Sequence, residues 1–121
     1  MRAGTDLTLE EMQSQMLKVL AHPFRIRMLD VLTDEEECVC HLAALFDKAQ
    51  PYISQQLAAL KEAGLVSDRR EAQRIYYRAA DPRVRQLLAV TRVLAGGSEP
   101  IPLPSNPIPG CNCPKCEIPG R

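Results

Sequence analysis

The chain of 121 residues has no Trp, only two Phe and three Tyr, and no apolar stretch long enough to span a membrane. A core with so few aromatic side chains must be built from Leu, Ile, Val, Ala and Met, a set that suits helices more than β-sandwiches. The first twenty residues also lack the apolar segment of a signal peptide. Composition therefore predicts a mostly helical, cytoplasmic protein with no membrane partner.

The formal net charge is zero, but the charges are segregated along the chain. Residues 1–47 carry four Lys and Arg against nine Asp and Glu, whereas residues 48–85 carry eight against four. A basic segment of this kind can attract a polyanion to one face, although it is also typical of a merely solvated surface.

Hydrophobic spacing predicts five helices, over about residues 8–20, 24–32, 38–46, 51–63 and 83–95. Thr8 and Glu11 have the spacing of a capping box, and Pro51 and Gly64 suit the start and the end of the fourth helix. A short turn joins the third helix to the fourth, whose outer face is polar. Two short helices joined in this way are typical of a helix-turn-helix.

After Gly64 the hydrophobic period changes from 3.6 to 2 over residues 65–70 and 73–78, which predicts a β-hairpin with a basic tip. The fold class predicted is mainly α with a small β-hairpin, a winged helix-turn-helix in the order α-α-α-α-β-β-α. Such a unit places one helix in the major groove of double-stranded DNA and the wing against phosphates. The predicted DNA contacts are Gln50, Tyr52, Ser54 and Gln55 on the fourth helix and Arg69, Arg70 and Arg74 on the wing; a solvated polar face is the alternative.

The first and last helices carry more apolar surface than one core needs, which favours a homodimer; packing of these two helices within one monomer is the alternative. Residues 1–95 are predicted as the DNA-binding and dimerisation domain. Residues 96–121 hold seven of the ten prolines and are predicted as a flexible tail, extended or disordered.

The chain contains Leu20-Ala-His-Pro-Phe-Arg-Ile-Arg-Met-Leu29, Cys38-Val-Cys40-His41-Leu42, Gln50-Pro-Tyr-Ile-Ser54-Gln-Gln-Leu57 with Leu60-Lys-Glu-Ala-Gly-Leu-Val66, and Asp68-Arg-Arg-Glu71 with Arg74-Ile-Tyr-Tyr77. In these stretches, over about residues 8–95, it resembles the ArsR/SmtB family of metal-responsive winged-helix repressors. The resemblance implies a dimer paired through its first and last helices, which represses a resistance or efflux operon and leaves the operator when metal binds. It also implies that Cys-x-Cys on the third helix is an inducer site for arsenite, cadmium or lead.

The chain departs from the family at three points. His41 stands where the family often has Asp. Residues 1–37 contain no Cys, so the N-terminal Cys pair of some cadmium and lead sensors is missing. Residues 83–95 contain no His, so the zinc site that other members build on the last helix is not carried over.

The five cysteines are grouped as Cys-x-Cys and Cys-x-Cys-x-x-Cys, a pattern that in a reducing compartment indicates metal binding or redox chemistry more than disulfides. In a regular helix Cys38 and Cys40 would point about 200° apart, so they can share an ion only at a frayed first turn. A soft ion takes three or four thiolates, so two are too few. The predicted metal ligands are therefore Cys38, Cys40, Cys111, Cys113 and Cys116.

The hypothesis is that at least one tail thiol joins Cys38 and Cys40, within a subunit or across the dimer, and that ligation pulls the third helix off its DNA-competent position. The inducer is arsenite, cadmium, lead or zinc. Three alternatives stay open for the thiols: a separate tail site, a tail with no sensing role, and Cys38 and Cys40 as small packed apolar groups. Two rival functions are a thiol redox-sensing repressor and a metal-buffering protein without operator binding. An enzyme is not expected, because no nucleophile, base and orienting group occur together.

Overall fold

The computed structural model describes residues 8–98, 108–111, 113–114 and 116. The elements in chain order are α1 Leu9–Leu20, α2 Pro23–Asp34, β1 Glu37–Cys38, α3 Val39–Phe46, α4 Gln50–Glu62, β2 Val66–Glu71, β3 Arg74–Ala79 and α5 Arg83–Leu94. The predicted winged helix-turn-helix is confirmed, with one two-residue strand, β1, that the sequence did not indicate. None of the helices in this part of the chain is long and apolar enough to cross a membrane.

The sheet is antiparallel, in the order β1-β3-β2. In β1, Glu37 pairs with Tyr77 and Cys38 pairs with Tyr76. The predicted start of the third helix at Cys38 was therefore one residue early, because Cys38 is extended, with φ −86° and ψ 164°, and precedes the first turn. The hairpin turn lies at residues 72–73, one position later than predicted, with Ala72 at φ 56°.

Local signals explain most of the helix ends. The capping box is present: the Glu11 amide donates to Thr8 Oγ1 at 3.1 Å and the Thr8 amide donates to Glu11 Oε1 at 3.0 Å. After α4, Gly64 has φ +78°, and the Leu65 amide donates to the Leu60 carbonyl at 2.9 Å, as in a Schellman cap.

The core lies where α2, α3 and α4 meet the base of the hairpin. Its fully buried side chains are Met28, Leu29, Leu42, Ile53, Leu57 and Leu60, each 0% exposed. Arg25 of α2 also donates to Gln56 Oε1 on α4 at 2.8 Å and to the Val19 carbonyl at 3.2 Å. These contacts fix the orientation of α4, whose opposite face is left polar and exposed.

The first and last helices, α1 and α5, expose large apolar side chains to solvent. The large exposed apolar residues on these helices are Leu9, Met12 and Leu17 of α1 and Val90, Val93 and Leu94 of α5. Leu94 is the most exposed of them, at 81%. The apolar surface of α1 and α5 is therefore the surface on which the predicted homodimer depends.

Candidate metal centre

Cys38 and Cys40 stand on either side of the junction between β1 and α3. Because Cys38 is held in a strand by its pairing with Tyr76, the pair escapes the regular-helix geometry that would separate the thiols. Their Sγ atoms lie 3.2 Å apart. Cys38 is 2% exposed, so the sulfur on the strand side of this pair is buried.

Within the predicted flexible tail, Ile108, Cys111, Cys113 and Cys116 pack against this junction in the same chain. Cys113 and Cys116 are each 1% exposed, and Ile108 is 4% exposed. Two tight turns gather the thiols, with the Cys111 amide donating to the Ile108 carbonyl at 3.0 Å and the Cys116 amide to the Cys113 carbonyl at 2.9 Å. Cys111 Sγ then lies 3.9 Å from Cys40 Sγ and 3.3 Å from Cys113 Sγ. The rest of the predicted tail, including residues 99–107 and 117–121, lies outside the described residues.

His41 lies in the same cluster, although it was not among the metal ligands predicted from the sequence. Its Nδ1 lies 3.3 Å from Cys116 Sγ, 3.6 Å from Cys113 Sγ and 3.9 Å from Cys111 Sγ. Its other ring nitrogen, Nε2, lies 3.5 Å from Glu37 Oε1, and both residues are buried. The available signal was its position directly after Cys40, at the point where the chain departs from the family pattern.

The cluster is electrostatically costly to ionise without a cation. Burial raises the pKa of Cys38 to about 12, with the hydrogen bond to Cys40 adding to the rise and the backbone amide of His41 opposing it. Burial also raises the pKa of Cys111. The amides at the start of α3 favour thiolate, but for Cys38 burial is the larger effect. A metal ion must therefore displace protons as it binds.

Arg74 approaches the same sulfurs from β3. Its Nη1 donates to Cys40 Sγ at 3.0 Å, and the residue is half-buried. The prediction that Arg74 contacts phosphate is not tested, but the structure turns its side chain toward the thiols. The wing is thereby joined to the first turn of α3.

The donor set fits a thiophilic ion and not a hard one. Five sulfurs and one imidazole nitrogen converge here, and soft ligands of this kind select zinc, cadmium and similar ions over magnesium or calcium. The Glu37 carboxylate at His41 Nε2 is the outer partner that metal-bound histidines commonly have.

The predicted DNA-contacting face of α4 is exposed at Gln50, Ser54 and Gln55. Tyr52 is half-buried, with its ring centroid 5.4 Å from that of Phe24. Gln50, Ser54 and Gln55 are therefore open to solvent, whereas Tyr52 packs partly against the core. Their contact with DNA stays a prediction.

Arg69 and Arg70, the other two of the three wing arginines predicted to contact phosphate, differ in their surroundings. Arg69 pairs with Glu36 and with Glu71, and its guanidinium stacks 4.8 Å from the Tyr76 ring centroid. Arg70 is exposed and forms no ion pair with any other described residue. Arg70 is therefore the better placed of the two to meet a phosphate.

Comparison with known proteins shows where the resemblance lies. Residues 22–68 match the family described as "Bacterial regulatory protein, arsR family". The biofilm growth-associated repressor of Agrobacterium fabrum is 45% identical over 73 residues, 60% of this chain and 62% of that protein. The arsenic resistance transcriptional regulator ArsR1 of Pseudomonas putida is 45% identical over 64 residues, 52% of this chain and 50% of that protein.

The chain thus spans less than two thirds of the length of these two curated relatives. One solved structure is similar to a larger share of this chain. The homodimeric winged helix-turn-helix DNA-binding domain of Mb0332 from Mycobacterium bovis, described as a possible ArsR-family transcriptional regulator, is 33% identical with a TM-score of 0.70. That similarity covers 79% of this chain and 89% of the other.

Proposed function

We propose, from the premise that this chain belongs to the arsR family of bacterial regulatory proteins, that a thiophilic metal or metalloid ion bound by its cysteines releases it from operator DNA. The family and the winged helix-turn-helix fold make the chain a DNA-binding transcriptional repressor and not an enzyme. The signal is an ion held jointly by Cys38, Cys40 and the tail thiols.

One observation carries this function: five thiols and His41 converge on the first turn of α3, the helix that precedes the recognition helix in the helix-turn-helix. A site at this joint can change the position of α3 directly.

The coupling runs through two contacts of the cluster with β3. Cys38 is held in the sheet opposite Tyr76, and Arg74 donates to Cys40 Sγ. Drawing both sulfurs toward an ion removes the Arg74 contact and shifts the junction of β1 and α3. Since α4 and the wing must meet DNA together, a shift between α3 and β3 weakens operator binding.

The DNA-bound form is a homodimer, like the Mycobacterium bovis domain, built on the exposed apolar faces of α1 and α5. Arsenite, cadmium, lead and zinc are the candidate inducers. Arsenite is supported by the name of the Pseudomonas putida relative, and all four by the sulfur-rich donors.

The test uses the double-stranded site that the metal-free protein enriches from a random-sequence pool. Binding is followed by fluorescence anisotropy with a phosphine reductant, with and without cadmium or arsenite. For the unmodified chain we expect affinity to fall by about 5- to 150-fold when the ion binds, the range of typical allosteric couplings.

The combined variant Cys38→Ser and Cys40→Ser is measured with and without the ion, so that its own metal-free form is the reference; the serine hydroxyl at position 40 can still accept from Arg74. We expect it to lose the response to the ion. Release as strong as that of the unmodified chain would contradict the function, and failure to enrich any site would favour metal buffering.

A thiol redox sensor is the second candidate, supported by the 3.2 Å contact between Cys38 Sγ and Cys40 Sγ. The raised pKa of Cys38 opposes it, because the thiolate is the form that oxidants attack. Release by metal under strict reduction separates the two, since a redox sensor would not respond.

A further inference from the structure

We infer that the thiol cluster is two adjoining metal subsites that share the sulfur of Cys113, and that each chain binds two thiophilic ions. The tail subsite consists of His41, Cys111, Cys113 and Cys116; the junction subsite consists of Cys38, Cys40 and Cys113. One part of this inference rests on the proposed function, namely that the ion in the junction subsite is the one that releases DNA.

The tail subsite already has the dimensions of a tetrahedral site. With metal–sulfur bonds of about 2.3 Å and metal–nitrogen bonds of about 2.0–2.1 Å, a nitrogen and a sulfur on one ion lie about 3.5–3.6 Å apart. The three distances from His41 Nδ1 to the tail sulfurs are 3.3, 3.6 and 3.9 Å. Little movement is needed for zinc or cadmium to bind there.

Burial and orientation support the same subsite. Its four ligands are all buried, with His41 at 2% and Cys111 at 9% exposure. Glu37 Oε1 lies 3.5 Å from His41 Nε2, which selects the tautomer that turns the Nδ1 lone pair toward the sulfurs.

The junction subsite differs in its chemistry. Cys38 and Cys40 bring two sulfurs 3.2 Å apart, and Cys113 Sγ lies within 4.8 Å of both, but the group contains no nitrogen. Three sulfurs without a fourth donor suit an ion that takes three thiolates in a pyramid, such as arsenite, or a divalent ion with an open position. The two subsites therefore differ in the ions they prefer.

The number of donors argues against a single ion. A tetrahedral ion takes four ligands, which leaves two of the six donors in the cluster without a metal partner; five of these donors are buried and Cys40 is half-buried. With one ion, the thiols outside its four ligands stay protonated and take no part in metal binding. Two ions that share Cys113 use every donor.

The shared sulfur can be tested with a matched pair of variants, Cys113→Ser and Cys116→Ser. Both residues are 1% exposed and both changes replace sulfur by oxygen, but only Cys113 belongs to both subsites. The full chain is titrated with cadmium under strict reduction against a chelator, with native mass spectrometry counting ions per chain. Circular dichroism of each metal-free variant checks that the helices are retained.

The unmodified chain should bind two cadmium ions in two resolved steps. Cys116→Ser should weaken only the step assigned to the tail subsite, Cys38→Ser with Cys40→Ser only the other, and Cys113→Ser both. Each affected step should weaken at least about 100-fold, because losing even an outer partner typically costs 10- to 100-fold. A single ion per chain, or a Cys113→Ser variant that matches Cys116→Ser, would overturn the inference.

Operator release is measured on the same samples, so the two claims fail separately. Two ions without loss of DNA affinity would leave the shared sulfur standing and remove the repressor mechanism. One ion per chain with full release of DNA would remove the shared sulfur and leave the repressor mechanism standing.

Discussion

Replacing Glu37 by Gln should weaken the tail subsite without touching the sulfurs. Glu37 is 4% exposed, and its Oε1 lies 3.5 Å from His41 Nε2. The carboxylate can orient the imidazole ring by accepting from Nε2–H, whereas an amide keeps the shape and loses the charge. Loss of such an outer partner typically costs about 10- to 100-fold in metal affinity.

We expect the lower end of that range. The separation of 3.5 Å exceeds the usual 2.7–3.2 Å of a hydrogen bond, so the contact is only partly formed before an ion binds. A loss of about 10-fold corresponds to about 1.4 kcal/mol of binding free energy.

The assay is cadmium titration against a chelator, with Glu62→Gln as the control that removes the same charge from an exposed position of α4. Only the step assigned to His41 should change, because the junction subsite contains no histidine. The reasoning would be refuted if Glu37→Gln left both steps unchanged, or weakened both equally.

Three further predictions concern the core, the wing and protons. Leu57→Ala should lower the free energy of unfolding by about 2–5 kcal/mol in urea denaturation, since Leu57 is 0% exposed; a loss below 1 kcal/mol would contradict its place in the core. Arg70→Ala should reduce the slope of log affinity for DNA against log salt by about 1, and Arg74→Ala by less; equal effects would contradict the contact between Arg74 and Cys40. Because the pKa of Cys38 is raised to about 12, this thiol is protonated at neutral pH. Metal affinity should therefore rise between pH 6 and 8, as displacement of the proton becomes easier. A metal affinity independent of pH would count against thiolate ligation.

The helices and the wing were predictable because short-range signals fix them. Thr8 with Glu11, Pro51 and Gly64 act within a turn of their own positions, and hydrophobic period separates helix from strand. The strand β1 was missed, since two residues are too few to show a period. Without β1, Cys38 was assigned to the third helix, where its side chain would point about 200° away from that of Cys40.

The cluster was only partly predictable. Soft-ion chemistry indicated that Cys38 and Cys40 need tail sulfurs, but no local signal shows where a Pro-rich segment docks. His41 was missed because its partners are about 70 residues away along the chain. Its neighbour Cys40 was predicted as the ligand at this point of the chain instead. Arg74 was predicted as a phosphate contact from its charge, and that prediction is untested; its contact with Cys40 depends on the register of β3, which the sequence does not show.

The most direct test of the central claim is reciprocity between the metal and DNA. Cadmium affinity is measured for the free protein and for the protein saturated with its selected DNA site, and DNA affinity is measured with and without cadmium. If ligation at the cluster and operator binding are coupled, both ratios must be the same factor, about 5- to 150-fold. Equal cadmium affinity in the free and DNA-bound protein would contradict the account.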